Sequence, residues 1–97
     1  MITRVVITKG AQKEIKKAPI QVAKNLKTWV ELVNTEGLEN VRRISGYHDE
    51  PLKGQREGQR SIRLNVAYRA LYTIEKDESG DDVVKFVSVF EVTKHEY

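Results

Sequence analysis

The chain has 97 residues, 39% hydrophobic and 32% charged, with a formal net charge of +3 and no cysteine. That length suits one domain with a modest core. The absence of thiols excludes disulfides and thiolate zinc sites, and two histidines alone cannot build a structural zinc site. No apolar run approaches the roughly 20 residues that span a bilayer, and the opening MITRVVITKG lacks a charged-then-apolar signal pattern. A cytoplasmic protein with no membrane partner is therefore expected.

Taken in order, residues 2–8, ITRVVIT, are rich in β-branched side chains and predict a first strand. Thr8 is placed to cap a short helix from Lys9 to Lys17, with Ala11 and Ile15 at helical spacing. Pro19 suits the first turn of a second helix. Its apolar stripe reads as Ile20, Ala23, Leu26, Val30 and Val33, flanked by Val22 and Trp29, and Gly37 stops it. Trp29 beside such a stripe is read as core rather than as a stacking platform. From Leu38 to Gly46 the pattern weakens, and a turn or short strand is expected around Val41 and Ile44.

Gln59–Asn65 alternates, with Ile62 and Leu64 on one face and Ser61 and Arg63 on the other. Ala67–Lys76 does the same, setting Arg69, Leu71 and Thr73 against Tyr68, Ala70, Tyr72 and Ile74. A turn at Asp77–Asp82 joins it to the apolar run Val83–Val92, expected to be central and covered on both faces. The order β-α-α-β-β-β predicts an α+β domain over 1–97, an antiparallel-rich sheet packed against an N-terminal helical hairpin.

Charge is unevenly spread along this framework. Residues 1–36 and 42–69 each carry a net +4, while residues 70–97 carry −4. Clustered Lys and Arg favour a polyanionic partner through counterion release. The densest chemistry lies in the stretch from Tyr47 to Tyr72. Its loop holds His48, Asp49, Glu50, Lys53, Arg56 and Glu57, and its strands carry Arg60, Arg63 and Arg69. Arginine grips two phosphate oxygens at once and keeps its charge, so Lys53, Arg56, Arg60 and Arg63 are candidate RNA-binding residues. Arg56 and Arg60 are also expected to be partly engaged by the acidic residues nearby. Arg69, in the mostly apolar YRALY, is the one expected to serve a site.

Cleaving RNA without a metal takes a base for the 2′-hydroxyl, cations for the crowded phosphorane, and an acid for the leaving oxygen. The carboxylate of Glu50, the arginines, and His48, Tyr68, Tyr72 or the terminal His95-Glu96-Tyr97 supply those types. Asp49–Glu50 is too sparse for a metal site, so no metal and no cofactor is expected.

The residues EPLKG at 50–54, the spacing from Gly58 through Ser61 and Arg63 to YRALY, and the final KHEY resemble the RelE/ParE superfamily. These are toxins of bacterial type II toxin–antitoxin pairs, and the likeness is to their HigB- and YoeB-like mRNA endonucleases. It spans nearly the whole chain, with the middle block its specific part. It implies a RelE-like fold whose concave sheet face holds the site. It also implies metal-independent, ribosome-dependent cleavage of mRNA in the 30S decoding site, and a cognate antitoxin as partner. Carried over by residue, Glu50 matches the general base, Lys53 a phosphate-holding lysine, Arg69 the transition-state arginine, Arg63 a supporting basic residue and Tyr97 a C-terminal tyrosine near the scissile phosphate. The chain departs at its end: Glu96 stands where YoeB-like members have a histidine, which here is one earlier, at His95. The general acid is left among His95, Tyr97 and Glu96. Two other readings stand beside this one: a ParE-like DNA gyrase inhibitor without nuclease activity, and a basic RNA-binding module without chemistry.

Overall fold

The β-branched opening yields only a short strand, β1 (Val5–Ile7), in a computed structural model that describes residues 1–79 and 82–94. Two helices follow at their predicted places, α1 (Lys9–Lys17) and α2 (Ile20–Glu36). The Thr8 hydroxyl accepts from the Ala11 N–H at 3.2 Å and so satisfies one of the donors a helix start leaves open. Pro19 holds the N-cap of α2. The face that α2 buries is rotated from the sequence reading: Val22, Leu26, Trp29 and Val33 are buried, whereas Ile20 is 77% exposed. Val22, in the same first turn, is fully buried, and Ile20, two residues and about 200° around the helix from it, points away from the buried stripe.

The expected turn or strand after Gly37 is a four-residue helix, α3 (Leu38–Val41), whose Leu38 and Val41 close the end of the core. Gly37 makes the corner at φ 85° and ψ 145°, a combination open essentially to glycine alone. A 3₁₀ turn, Ser45–Tyr47, then leads into β2 (Glu50–Pro51), β3 (Arg60–Arg63), β4 (Tyr68–Ser79) and β5 (Asp82–Lys94). The sheet order is β1-β5-β4-β3-β2, with β1 parallel to β5 and every other pair antiparallel. The α+β, antiparallel-rich architecture expected from the sequence is the one observed, with the edge strand β2 added.

Helices cover one face of this sheet. Ile62, Leu64, Ala70, Tyr72, Val87, Val89 and Val92 pack there with Trp29, Val22 and Leu26. β5 is interior in the sheet, but only one of its faces is covered, contrary to expectation. Val83 and Val84 are 55% and 49% exposed, because the hairpin runs on past the helices. A bulge explains why its run looks continuously apolar. Leu71 pairs with Glu91 and Tyr72 with Val89, leaving Phe90 as an extra residue. The insertion resets the alternation, so Val87 and Val89 face the helices before it and Val92 after it. Beyond the end of β1, the Val92 N–H donates to Glu14 Oε1 on α1 at 3.0 Å, which ties the end of β5 to the helical layer. Among the described residues no helix is long and apolar enough to cross a membrane.

Gly37→Ala tests the corner. The added methyl meets the Met1 side chain, which can move, but the backbone strain cannot be relieved. A loss of about 1–3 kcal/mol is expected, measured by urea unfolding, with the denaturant slope unchanged.

Candidate active site on the free face of the sheet

On the face away from the helices, cross-strand register assembles two rows of side chains. Glu50 lies opposite Ser61, Ser61 opposite Leu71, and Leu71 opposite Glu91, so β2 through β5 each contribute one residue to the first row. Arg63, Arg69 and Thr93 form the second. Directly opposed residues share a face, with Cβ atoms roughly 5 Å apart. The loop from Leu52 to Gln59, pinned by Leu52 N–H to Gln59 O at 2.9 Å, borders these rows. Between them is a groove of about 420 Å³, lined by Glu50, Arg56, Ser61, Arg69, Glu91 and Lys94 among others.

Glu50 is exposed in this groove. Arg69 is half-buried, and its Nη1 is buried with no hydrogen-bond partner among the described residues. Ser61 is 1% exposed and its Oγ is likewise without a partner. Arg56 donates to Gln59 Oε1 at 3.0 Å and pairs with Glu91 at 3.5 Å. That pair is long and open to solvent, and such pairs contribute little, so a phosphate can draw Arg56 away from it.

The other predicted residues are distributed differently. Arg63 stands beside Arg69 in register, but its Nη1 lies 3.4 Å from His48 Nε2, and it lines a separate cavity of about 400 Å³ with Asn25, Thr28 and Tyr47. Lys53 is exposed on the bordering loop and is not part of the groove wall. Arg60 faces the helical side, where its Nε donates to Asp49 Oδ1 at 2.7 Å. Engagement by a nearby acid, expected for Arg56 and Arg60, is present for Arg60; Arg56 pairs instead with Glu91, from β5. The Arg60 pair is not a surface bridge, however, since the Asp49 side chain is only 1% exposed. His95, Glu96 and Tyr97 lie outside the described residues.

Beneath the groove is a network whose members the sequence did not single out together. The Tyr72 hydroxyl donates to Asp49 Oδ2 at 2.6 Å, and Arg42 Nε donates to the same hydroxyl at 3.4 Å. Both carboxylate oxygens are thus engaged inside the protein, as a buried charge requires. Burial alone would lower the Arg60 guanidinium, but the bond and charge of Asp49 outweigh it and hold it above its ordinary value. Burial, reinforced by the bond to Asp49, pushes the Tyr72 phenol up to about 12. His48, immediately before Asp49, adopts a left-handed conformation at φ 45°. With Asp49 drawn under the sheet, strand alternation sends Glu50 to the opposite face, into the groove.

No protein-family model and no curated protein matches this chain. Solved structures do. A YoeB/ParE toxin from Agrobacterium tumefaciens aligns over 96% of this chain and 99% of its own, at 18% identity and a TM-score of 0.61. The E. coli DinJ–YafQ toxin–antitoxin complex contains a chain that aligns over 97% of this one and 94% of its own, at 20% identity and a TM-score of 0.67. A chain of the YoeB–YefM complex from Staphylococcus aureus aligns over 97% of both, at 18% identity and a TM-score of 0.62. At such identities the likeness establishes the fold: this chain has the fold of these toxins.

The Asp49–Tyr72 bond sets a pH dependence. Tyrosine in the unfolded chain titrates near 10, and in the folded protein near 12. The raised value means the phenol stabilises the fold fully below pH ~10, and this is lost as pH rises through about 12. The stability difference between wild type and Tyr72→Phe is therefore expected to be constant from pH 7 to 9 and to shrink between 10 and 12. Paired urea titrations at each pH measure it.

Proposed function

We propose that the protein is the toxin of a type II toxin–antitoxin pair and an endoribonuclease that cuts translated mRNA without a metal. The observation that carries this reading is the convergence of Glu50 and Arg69 on one groove. A carboxylate and an arginine whose Nη1 has no partner among the described residues, from strands two places apart, line the same cavity on the sheet face left free by the helices. The toxin folds it shares, two of them seen in complexes with antitoxins, support the same assignment.

In this reading a single-stranded RNA crosses the groove with one phosphodiester between Glu50 and Arg69. The Glu50 carboxylate takes the 2′-hydroxyl proton, and the freed oxygen attacks the adjacent phosphorus. The Arg69 guanidinium, joined by Arg56 and Lys94 at the groove wall, offsets the charge that grows on the phosphorane. The bond from phosphorus to the 5′-oxygen then breaks, leaving a 2′,3′-cyclic phosphate and a 5′-hydroxyl that receives a proton from the general acid. His95, Tyr97 and Glu96 remain the candidates for that acid, with His95 and Tyr97 preferred. Lys53 and Arg63 flank the groove as phosphate contacts, while Arg60 acts from below as the partner of Asp49. The resemblance of the central block to YoeB- and HigB-like endonucleases supports a substrate held on the ribosome, in the 30S decoding site. An antitoxin would silence the protein by laying an acidic segment over the same cations.

Purified protein with a defined mRNA, programmed ribosomes and EDTA is the direct test. Cuts within the codon in the decoding site, only when ribosomes are present, are expected. Glu50→Ala and Arg69→Ala are each expected to lower the rate by about 10²–10⁴-fold. Their melting temperatures should stay near wild type, since Glu50 is exposed and Arg69 Nη1 has no bond to lose among the described residues. Wild-type rates in both variants would overturn the site. Intact mRNA with arrested DNA replication would turn the assignment to a gyrase inhibitor, and salt-sensitive RNA binding without product to a binding module.

A further inference from the structure

Three buried side-chain polar atoms have no hydrogen-bond partner among the described residues: Trp29 Nε1, Ser61 Oγ and Arg69 Nη1. Trp29 belongs to the helical core, but the other two line one groove. A buried group without a partner costs about 1–3 kcal/mol, and folded proteins keep few of them. Ser61 has Leu71 opposite it on β4, so among the described residues nothing uses its hydroxyl. Alanine at this position would fill almost the same space without that cost.

Register sets the two residues close together on one face of the sheet. Ser61 is directly opposite Glu50, and Arg69 lies two residues before Leu71, which makes it the diagonal neighbour of Ser61. Diagonal residues are roughly 7–8 Å apart at the backbone, a gap the arginine side chain spans. Both orphaned groups can donate a hydrogen bond, and a phosphoryl oxygen only accepts. Accepting from both is the simplest way to satisfy them together.

We propose that Ser61 is a further catalytic residue: its hydroxyl and Arg69 Nη1 form a two-donor cradle for one non-bridging oxygen of the phosphodiester. This rests on the endonuclease reading above. It gives Ser61 no covalent role, since the attacking oxygen is still the 2′-oxygen and the leaving oxygen the 5′-oxygen. The cradle acts on the charge that builds on the non-bridging oxygen as the phosphorane forms, so it favours the transition state over the bound substrate.

Ser61→Ala is the informative variant, because removing an unpartnered hydroxyl leaves the melting temperature equal to or above that of wild type. Cleavage on programmed ribosomes is expected to fall about 10²-fold, with ribosome binding unchanged. Sulfur in place of one non-bridging oxygen is a poor hydrogen-bond acceptor. One phosphorothioate diastereomer should therefore slow the wild type and have little further effect on Ser61→Ala. A variant that cleaves at the wild-type rate with the wild-type sulfur response overturns the proposal. So does one that melts early yet keeps the full rate per folded molecule, which would assign Ser61 to packing.

If the wild type cleaves no RNA, the endonuclease reading fails and the cradle is judged by anion binding alone. Inorganic phosphate, titrated while the Arg69 guanidinium resonances are followed by NMR, is expected to bind about tenfold more weakly to Ser61→Ala. Equal affinities for the two proteins would overturn the cradle.

Discussion

A single buried carboxylate holds the working half of this protein in place. The Asp49 side chain has almost no exposure, and its two oxygens are held by Arg60 and the Tyr72 hydroxyl. A charge in that position is tolerable only while both partners remain. Tyr72 is in turn fixed by the helical core, where its ring lies 5.5 Å from that of Trp29 at 43°. The chain of dependence runs from an apolar helix face, through two aromatic rings, to a carboxylate and then to the next residue in sequence. Because Asp49 is anchored below the sheet, Glu50 is presented above it. The strand that carries the proposed base is thereby tied to the helical core.

The free face shows how the fold makes a cationic site without exhausting its own charges. Arg60 is consumed by structure, and Arg56 is loosely engaged with Glu91. Among the described residues, Arg69 alone of the central arginines has a buried nitrogen with no partner. These are three degrees of commitment, and they follow from position. The strand face under the helices must neutralise its charges, the loop can share them, and the groove floor can leave one unmet for a ligand.

Much of this was legible in the sequence because the relevant signals were local. Thr8, Pro19 and Gly37 mark helix ends by their own chemistry, and alternation groups Ser61 with Arg63 in 59–65 and Arg69 with Leu71 in 67–76, while register alone puts the two sets on one face. What stayed hidden depended on distance or on a broken period. The phase of α2 was misread because Ile20, Ala23 and Val30 recur at helical spacing beside the stripe that is buried, which runs through Val22, Leu26, Trp29 and Val33. Glu91 was lost inside an apolar run because the bulge at Phe90 shifts its parity. Asp49 looked like one more loop acid, since its partners sit 11 and 23 residues away. Ser61 offered no signal at all, because an unsatisfied hydroxyl is visible only once its surroundings are.

The β4–β5 hairpin has a consequence for how this molecule meets a partner. Arg69 lies near the start of β4, while Glu75, Asp77 and Glu78 lie exposed toward its far end. Nine residues of extended chain separate Arg69 from Glu78, a span of about 30 Å, several times the screening length of about 8 Å in physiological salt. The two ends therefore keep distinct potentials instead of cancelling. In the field of a polyanion the basic end is drawn in and the acidic end pushed away, which applies a torque about the centre of the protein. Encounters are turned groove-first before contact, and the long hairpin acts as the lever arm of that rotation.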